Sequence, residues 1–302
     1  MHIHSRALKY FDMIRRCGSI REAARQLHVS SSAVNRQLLQ LEDEVGSPLF
    51  ERLPKGLRLT PVGEILSRHV ITVVQDAQRM TGELDALKGI RRGAVDVVSV
   101  EALTSAFLPT VLEKMIKRYP AVKISVRIAG SAGAALAVAN GDADVALGFV
   151  LQRTESLRQL AVGRFALGAI VPPGHPLAAS SQASFAECAR YPLVLPSPEL
   201  SIHWEIRPLV TGHKRPKTVV LETGSLELMK GLAARGVGVA FVNRFGIERE
   251  LKQGLLRHVR LKGQTPSNLG VYVRAGRALS PALDAFTRIA AEEIERRAAE
   301  EA

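Results

Sequence analysis

Side chains that can hydrogen-bond to nucleic acid cluster in one short stretch near the amino end of the chain. Six such residues fall within eight positions, and all are short or forked donors and acceptors: Ser30, Ser31, Ser32, Asn35, Arg36 and Gln37. On a helix that lies in the major groove, groups of this kind reach base edges and phosphates. No Asp or Glu occurs between residues 23 and 41. The alternative interpretation is the solvated face of an ordinary helical hairpin.

Two short helices are needed to position these side chains. Ser19 and Glu22 have the spacing of a capping box, and Ser30 can cap a second helix. Apolar residues then recur three and four positions apart, which predicts one inward face on each helix. The inward residues are Ile20, Ala23, Ala24 and Leu27 on the first helix and Ala33, Val34, Leu38 and Leu41 on the second. A preceding helix with Leu8, Phe11 and Ile14 can cover the pair.

Three motifs in this region carry a family resemblance. The run AARQLHVSSSAVNRQLLQLE, then GSPLFER, then LTPVGE resembles the winged helix-turn-helix domain of LysR-type transcriptional regulators over about sixty contiguous residues. The resemblance implies an α+β multidomain fold: a winged helix-turn-helix, a long linker helix and a two-lobed α/β regulatory domain like that of periplasmic binding proteins. It also implies double-stranded DNA as a partner, a homodimer or dimer of dimers, and a small-molecule effector. RNA polymerase is a further partner that this class allows.

The chain departs from the family pattern on the second helix. The family usually has Gln at the position of Ser31 and often Ser at the position of Asn35. Ser31 cannot make the bidentate contact to adenine that Gln makes, so recognition is expected to depend more on Asn35, Arg36 and DNA shape. In the wing, Arg52 and Lys55 are expected over the DNA backbone or the minor groove.

A long helix is predicted to follow the wing. Thr60 is suited to its N-cap and Pro61 to its first turn. Seven apolar residues then alternate at steps of four and three, which predicts a two-stranded dimerisation coil: Leu66, Val70, Val73, Ala77, Met80, Leu84 and Leu87. The alternative is a core-facing stripe of a globular helix. The predicted domains are residues 1–60 for DNA binding, 61–92 for the linker helix and hinge, and 93–302 for regulation.

Beyond the linker, short β-runs alternate with helical segments, which predicts parallel sheets with helices on both faces. We expect one lobe at about 93–155 and 268–302, and a second at about 156–267. The crossings are expected near residues 148–158 and 264–270, and residues 165–171 are predicted as one strand. The pairing of these elements into lobes rests on the resemblance.

Ligands of such sheets bind beyond the carboxyl ends of strands, at helix N-termini. Eight residues occupy such positions and are the candidate effector contacts: Glu101, Ala102, Thr104, Ser105, Ser131, Ser197, Thr223 and Ser225. Ser and Thr before a helix can equally be simple N-caps. Glu101 is unusual beside helix ends that suit anions. It indicates a ligand with a hydrogen-bond donor or a cation, or else a structural pairing.

Composition narrows the alternatives. The 302 residues carry a net charge of +12, which favours a polyanionic partner. Cys17 and Cys188 form no recognisable metal or disulfide pattern, and no GxSxG, HExxH or Walker A spacing occurs, so we expect neither an enzyme nor a metal or cofactor. Charged and polar residues near the amino end predict a cytoplasmic protein without membrane spans. A transport-type binding protein would explain only residues 93–302.

Overall fold

The computed structural model describes residues 6–54, 56–87, 92–149, 155–212, 218–264 and 266–301. The chain folds as two compact units. The described part of the first unit runs to Leu87 and includes the short segments Asn140–Asp142 and Arg277–Pro281. The second unit contains most of the remaining residues. No helix in the described ranges is long and apolar enough to cross a membrane.

The first unit is a three-helix bundle with a hairpin and a long helix. Its elements are α1 (Arg6–Cys17), α2 (Ile20–Leu27), α3 (Ser31–Val45), β1 (Phe50–Leu53), β2 (Gly56–Leu59) and α4 (Pro61–Leu87). The two strands pair antiparallel and form the predicted wing. The core contains Phe11, whose ring lies 5.2 Å from that of Phe50, together with Ile14. The apolar faces predicted for α2 and α3 therefore pack inward.

A five-stranded sheet with the order β4-β3-β5-β13-β6 forms the first lobe of the second unit. Its strands are β3 (Gly93–Ser99), β4 (Val122–Ile128), β5 (Val145–Phe149), β6 (Leu157–Phe165) and β13 (Ser267–Arg274). The first three are parallel, as predicted, whereas β13 runs antiparallel to both β5 and β6. Three helices accompany this sheet: α5 (Phe107–Arg118), α6 (Ser131–Ala139) and α11 (Pro281–Glu301).

A six-stranded sheet with the order β10-β9-β11-β7-β12-β8 forms the second lobe. The strands are β7 (Leu167–Val171), β8 (Gln182–Ala183), β9 (Leu193–Pro196), β10 (Val219–Thr223), β11 (Val239–Asn243) and β12 (Arg257–Leu261). The helices are α7 (Phe185–Cys188), α8 (Ser201–Gly212), α9 (Leu226–Ala234) and α10 (Glu248–Lys252). The core of this lobe includes Cys188, and burial raises the pKa of its thiol to about 12.

The lobe boundaries differ from the prediction. Residues 165–171 are not one strand: β6 ends at Phe165 in the first sheet and β7 begins at Leu167 in the second. The first crossing between lobes therefore falls at Ala166 rather than in residues 148–158, and the first lobe extends to Phe165. The sequence did not predict most of β6 as a strand, because its charged and polar residues obscure the alternation of apolar and polar positions that is typical of strands. The return crossing falls between β12, which ends at Leu261, and β13, which begins at Ser267, so it overlaps only the start of the predicted range 264–270.

Candidate nucleic-acid interface and ligand cavity

The α3 helix presents the polar residues that the sequence singles out. Ser30 caps it, since its hydroxyl accepts from the Ala33 N–H at 3.2 Å. Val34, Leu38 and Leu41 are buried and fix the rotation of the helix about its axis. Ser30, Ser31, Ser32 and Arg36 are consequently exposed, and Asn35 and Gln37 are half-buried. Ser31, Ser32, Asn35 and Arg36 thus share the accessible side of the helix, whereas Gln37 lies at the opposite edge of the buried stripe.

The turn before α3 depends on an unusual backbone conformation. His28 ends α2 with φ 55°, in the left-handed region, and its N–H donates to backbone carbonyls of that helix. Ser19 caps α2 as predicted, accepting from the Glu22 N–H at 3.4 Å. The Glu22 carboxylate contacts the Arg25 guanidinium at 2.7 Å, which lowers the pKa of Glu22.

Charges on the first unit are divided between paired and unpaired groups. Arg25 pairs with Glu22, and Arg58 pairs with Glu51 across the wing at 2.7 Å. Arg36 and Arg52 are exposed, and neither has an ion-pair partner among the residues that the structure describes. Lys55 lies outside the described residues. The unpaired guanidinium groups are available to phosphate or to base edges.

Glu42, the first carboxylate of α3, is turned away from the exposed face. Its Oε1 accepts from the Leu49 N–H at 2.7 Å and from the Phe50 N–H at 3.3 Å. This residue therefore fixes the start of β1. The polar face formed by residues 30–37 remains free of carboxylates.

The α4 helix begins as predicted, but one part of its apolar seam is placed differently. Thr60 accepts from the Gly63 N–H at 3.0 Å and so caps the helix. Val70 is completely buried in the core of the first unit, and Leu66 packs against the same core. The assignment of Val70 to a dimerisation seam is therefore wrong, because its side chain is already enclosed by its own chain. Val73, Ala77 and Met80 are half-buried, whereas Leu84 and Leu87 are 40% and 86% exposed.

A cavity of about 220 Å³ lies between the two lobes of the second unit. Its apolar lining includes Ile128, Phe149, Leu200, Ile202, Leu226, Val242 and Phe245, and its polar lining includes Glu101, Glu199, Ser201 and Asn243. Ala102, Gly130 and Gly224 also line it. Of the predicted effector contacts, Glu101 and Ala102 lie at this cavity.

The hydroxyls predicted to contact a ligand are used within the chain. On the first lobe, Thr104 donates to the Glu101 carbonyl at 2.7 Å, Ser105 to the Glu248 carboxylate of α10 at 3.1 Å, and Ser131 to the Phe149 carbonyl at 2.9 Å. On the second lobe, Ser197 donates to Glu199, Thr223 accepts from the Ser225 N–H, and Ser225 caps α9. None of these six belongs to the described lining of the cavity. Their neighbours Gly130, Glu199 and Gly224 line it instead.

The cavity has an acidic character. Among its described lining residues, Glu101 and Glu199 are the charged ones, and there is no Lys, Arg or His. Glu101 Oε2 accepts from the Leu226 N–H, at the start of α9, at 3.3 Å. A hydrogen bond from the Ser197 hydroxyl lowers the pKa of Glu199. The sequence did not predict Asn243, Phe149 or Phe245, since each is an ordinary residue at or just after the end of a strand.

Two regions of the chain, one in each unit, match known protein families. Residues 5–64 match the bacterial regulatory helix-turn-helix proteins of the lysR family, and residues 88–295 match the LysR substrate binding domain. The chain therefore belongs to the LysR family of DNA-binding transcriptional regulators and carries that family's effector-binding domain. Members of this family are regulators, not enzymes. They bind DNA and small-molecule effectors and form oligomers.

Individual relatives are similar to this chain over nearly its full length. The chain is 28% identical over 298 residues to a RuBisCO operon transcriptional regulator of Allochromatium vinosum, with 98% of each chain covered. A full-length OxyR variant from Pseudomonas aeruginosa has a similar structure, with a TM-score of 0.76, 18% identity and coverage of 97% and 96%. Full-length CbnR in complex with its target DNA gives a TM-score of 0.56 at 18% identity, with coverage of 95% and 99%. The structural likenesses concern the fold.

Proposed function

We propose that this regulator recognises its operator through the exposed face of α3 and that a small molecule in the interlobe cavity controls this binding. One observation carries the proposal: Ser31, Ser32 and Arg36 are exposed on a carboxylate-free face of a helix that its buried residues hold in place. A helix of this kind fits the major groove. CbnR, a protein of similar fold, has been solved on its target DNA.

Each polar residue is given a role by its chemistry. Asn35 and Arg36 make base or base-adjacent contacts, because an amide and a guanidinium can each form two hydrogen bonds to one base. Ser30, Ser31, Ser32 and Gln37 bond to phosphates or base edges. Arg52, together with Lys55 as the sequence predicts, lies over the DNA backbone or the minor groove.

A dimer would place two such helices on a split operator. The part of the α4 seam that remains accessible is Val73, Ala77, Met80, Leu84 and Leu87. We propose that these residues contact a second copy, that two dimers pair, and that the assembly acts on RNA polymerase in the cytoplasm. Sedimentation of Leu84→Asp should show monomers at concentrations where Ala86→Asp, an exposed control on the same turn, remains dimeric. Dimers with both variants would contradict this placement.

DNA recognition can be tested without knowing the operator. Selection from a pool of random duplexes should yield an enriched sequence, and gel retardation then gives its affinity at fixed salt. Arg36→Ala should weaken binding by about 10- to 100-fold and relax preference at one base position. Arg235→Ala, an exposed arginine in the second lobe, removes the same charge and should bind normally. Failure to enrich any sequence, or equal losses from both variants, would refute the proposal.

A further inference from the structure

We propose that the effector of the interlobe cavity is a small organic ammonium ion with an apolar body, and not a carboxylate or a phosphate ester. This inference rests on the proposed function, in which the cavity is the effector site. It identifies the effector by chemical class. Three features of the cavity support it: its charge, one buried amide, and the character of its walls.

The charges come from both lobes. Glu101 follows β3 in the first lobe, and Glu199 follows β9 in the second. Each carboxylate has one oxygen engaged, Glu101 with the Leu226 N–H and Glu199 with the Ser197 hydroxyl. The Glu101 carboxylate has no further hydrogen bond among the described residues, and the Glu199 side chain is exposed, so both can accept from a ligand. An ammonium group, which has three donors, can bond to both carboxylates at once.

Helix ends do not reverse this charge. The helices α6, α8 and α9 begin beside the cavity, and each N-terminus is equivalent to roughly +0.5 of an elementary charge. Their sum of about +1.5 is smaller than the two full negative charges of the carboxylates. Moreover, Glu101 already occupies the N-terminus of α9, since it accepts from the first N–H of that helix. The chain thus supplies its own anion where an anionic ligand would otherwise bind.

The side-chain amide of Asn243 is a second polar group at the cavity that can bond to a ligand. This residue is 5% exposed, and it lines the cavity. It makes no side-chain hydrogen bond within the described part of the chain. A polar side chain enclosed to this degree is usually hydrogen-bonded, and a ligand in the cavity can supply the missing partner. The side-chain carbonyl oxygen of Asn243 can accept a third bond from an ammonium group.

The rest of the lining selects an apolar body. The rings of Phe149 and Phe245 lie 5.4 Å apart between centroids, and the aliphatic side chains of Val, Ile and Leu residues complete the walls. A cavity of about 150 Å³ with apolar walls binds benzene. The 220 Å³ here therefore suits one ring with a short chain, roughly ten non-hydrogen atoms.

Calorimetric titration of the full-length protein tests the charge preference with three probes that each carry a polar group on a phenyl ring through a short chain. These are phenethylamine, 2-phenylethanol and 3-phenylpropionate, and cyclohexylmethylamine is added as a second amine. We expect the amines to bind and 3-phenylpropionate not to bind. The double variant E101Q/E199Q should weaken amine binding by roughly 10- to 100-fold, the size of a charge-assisted hydrogen bond. E222Q removes an exposed carboxylate from β10, outside the cavity, and should bind amines normally.

Other outcomes separate the two proposals. Equal binding of the carboxylate or the alcohol, or no binding by either amine, overturns the ammonium assignment. If Ala102→Phe abolishes binding of such a non-amine probe, the cavity is still the effector site and the proposed function survives. If no DNA sequence can be enriched, the proposed function fails, whatever the probes show.

Discussion

Polar side chains serve different purposes in the α3 face and in the interlobe cavity. On α3, Ser31 and Arg36 project from the helix, and the carboxylate nearest the face, Glu42, is engaged elsewhere. At the cavity, hydroxyls such as Ser131 and Ser225 are bonded to the chain's own backbone. The polar residues that line the cavity are Glu101, Glu199, Ser201 and Asn243.

The difference fits the roles that we propose for the two surfaces. An operator is a polyanion, and a face with unpaired guanidinium groups and no carboxylates attracts it at long range. A cavity has to select one small molecule, so it depends on a few groups that are desolvated and only partly bonded. The same residue type, serine, is therefore a candidate ligand contact on the helix and a structural cap beside the cavity.

The largest effect is expected from removing a buried ring in one unit, which should destabilise that unit and not the other. Phe11→Ala removes a ring that is 1% exposed in the core of the first unit, and should lower that unit's free energy of unfolding by about 3–5 kcal/mol. Calorimetry should show its transition at a lower temperature, and DNA retardation should be lost. Phe286→Ala, an equally buried ring in the second unit, should shift the other transition. A shift of both transitions by either variant would contradict independent folding of the two units.

A paired carboxylate provides the contrast to Glu101 and Glu199. Glu293 is completely buried in the second unit, and burial alone would raise its pKa. Hydrogen bonds from Arg296, Arg297 and Lys114 outweigh that burial and lower the pKa to about 2. Because the folded pKa lies below the ordinary 4.5, this cluster stabilises the protein above pH 4.5, and the stabilisation is lost as the pH falls towards 2.

The variant Glu293→Gln should therefore cost about 3 kcal/mol at pH 7 and progressively less below pH 4.5. Chemical denaturation across this pH range measures the difference from wild type. A difference that stays constant from pH 7 to pH 3 would show that the ion pairs of Glu293 do not account for the loss.

The smallest expected effects compare two serines. Ser225→Ala removes the cap of α9 and should lower the free energy of unfolding by about 1 kcal/mol, with phenethylamine affinity unchanged. Ser31→Ala should leave stability within about 0.5 kcal/mol and weaken DNA binding by about 1 kcal/mol. If Ser225→Ala instead weakens probe binding at unchanged stability, its hydroxyl contacts the ligand and the contrast between the two surfaces is wrong.

Local patterns were sufficient to predict the first unit and less so the second. Caps, helical periodicity and the wing depend on residues close in sequence, which is why Ser30, Val34 and Thr60 have the predicted places. The heptad pattern of α4 could not show that Val70 faces its own core, because an apolar residue packs equally well against either neighbour. Similarly, α8 was missed since Pro208 interrupts its helical pattern.

The cavity was the hardest feature to predict. The α/β pattern predicted that a ligand site would lie beyond the ends of strands. Glu101 was among the predicted contacts because a carboxylate is unusual beside a helix N-terminus. Asn243 and Phe245 come from a distant segment, and only the tertiary structure brings them beside Glu101. A serine that caps a helix and one that contacts a ligand have the same sequence signature, so the sequence could not separate the two roles for these hydroxyls.

Gly130 has a further consequence for signalling. A Cβ atom built there would lie 2.4 Å from the Glu199 carbonyl oxygen, so the two lobes meet backbone against backbone at this point. Any larger residue at position 130 would clash with this carbonyl oxygen and hold the two lobes further apart. Under the proposed function, we expect such a substitution to keep the lobes apart with or without the effector, so that DNA binding no longer changes when the effector is added.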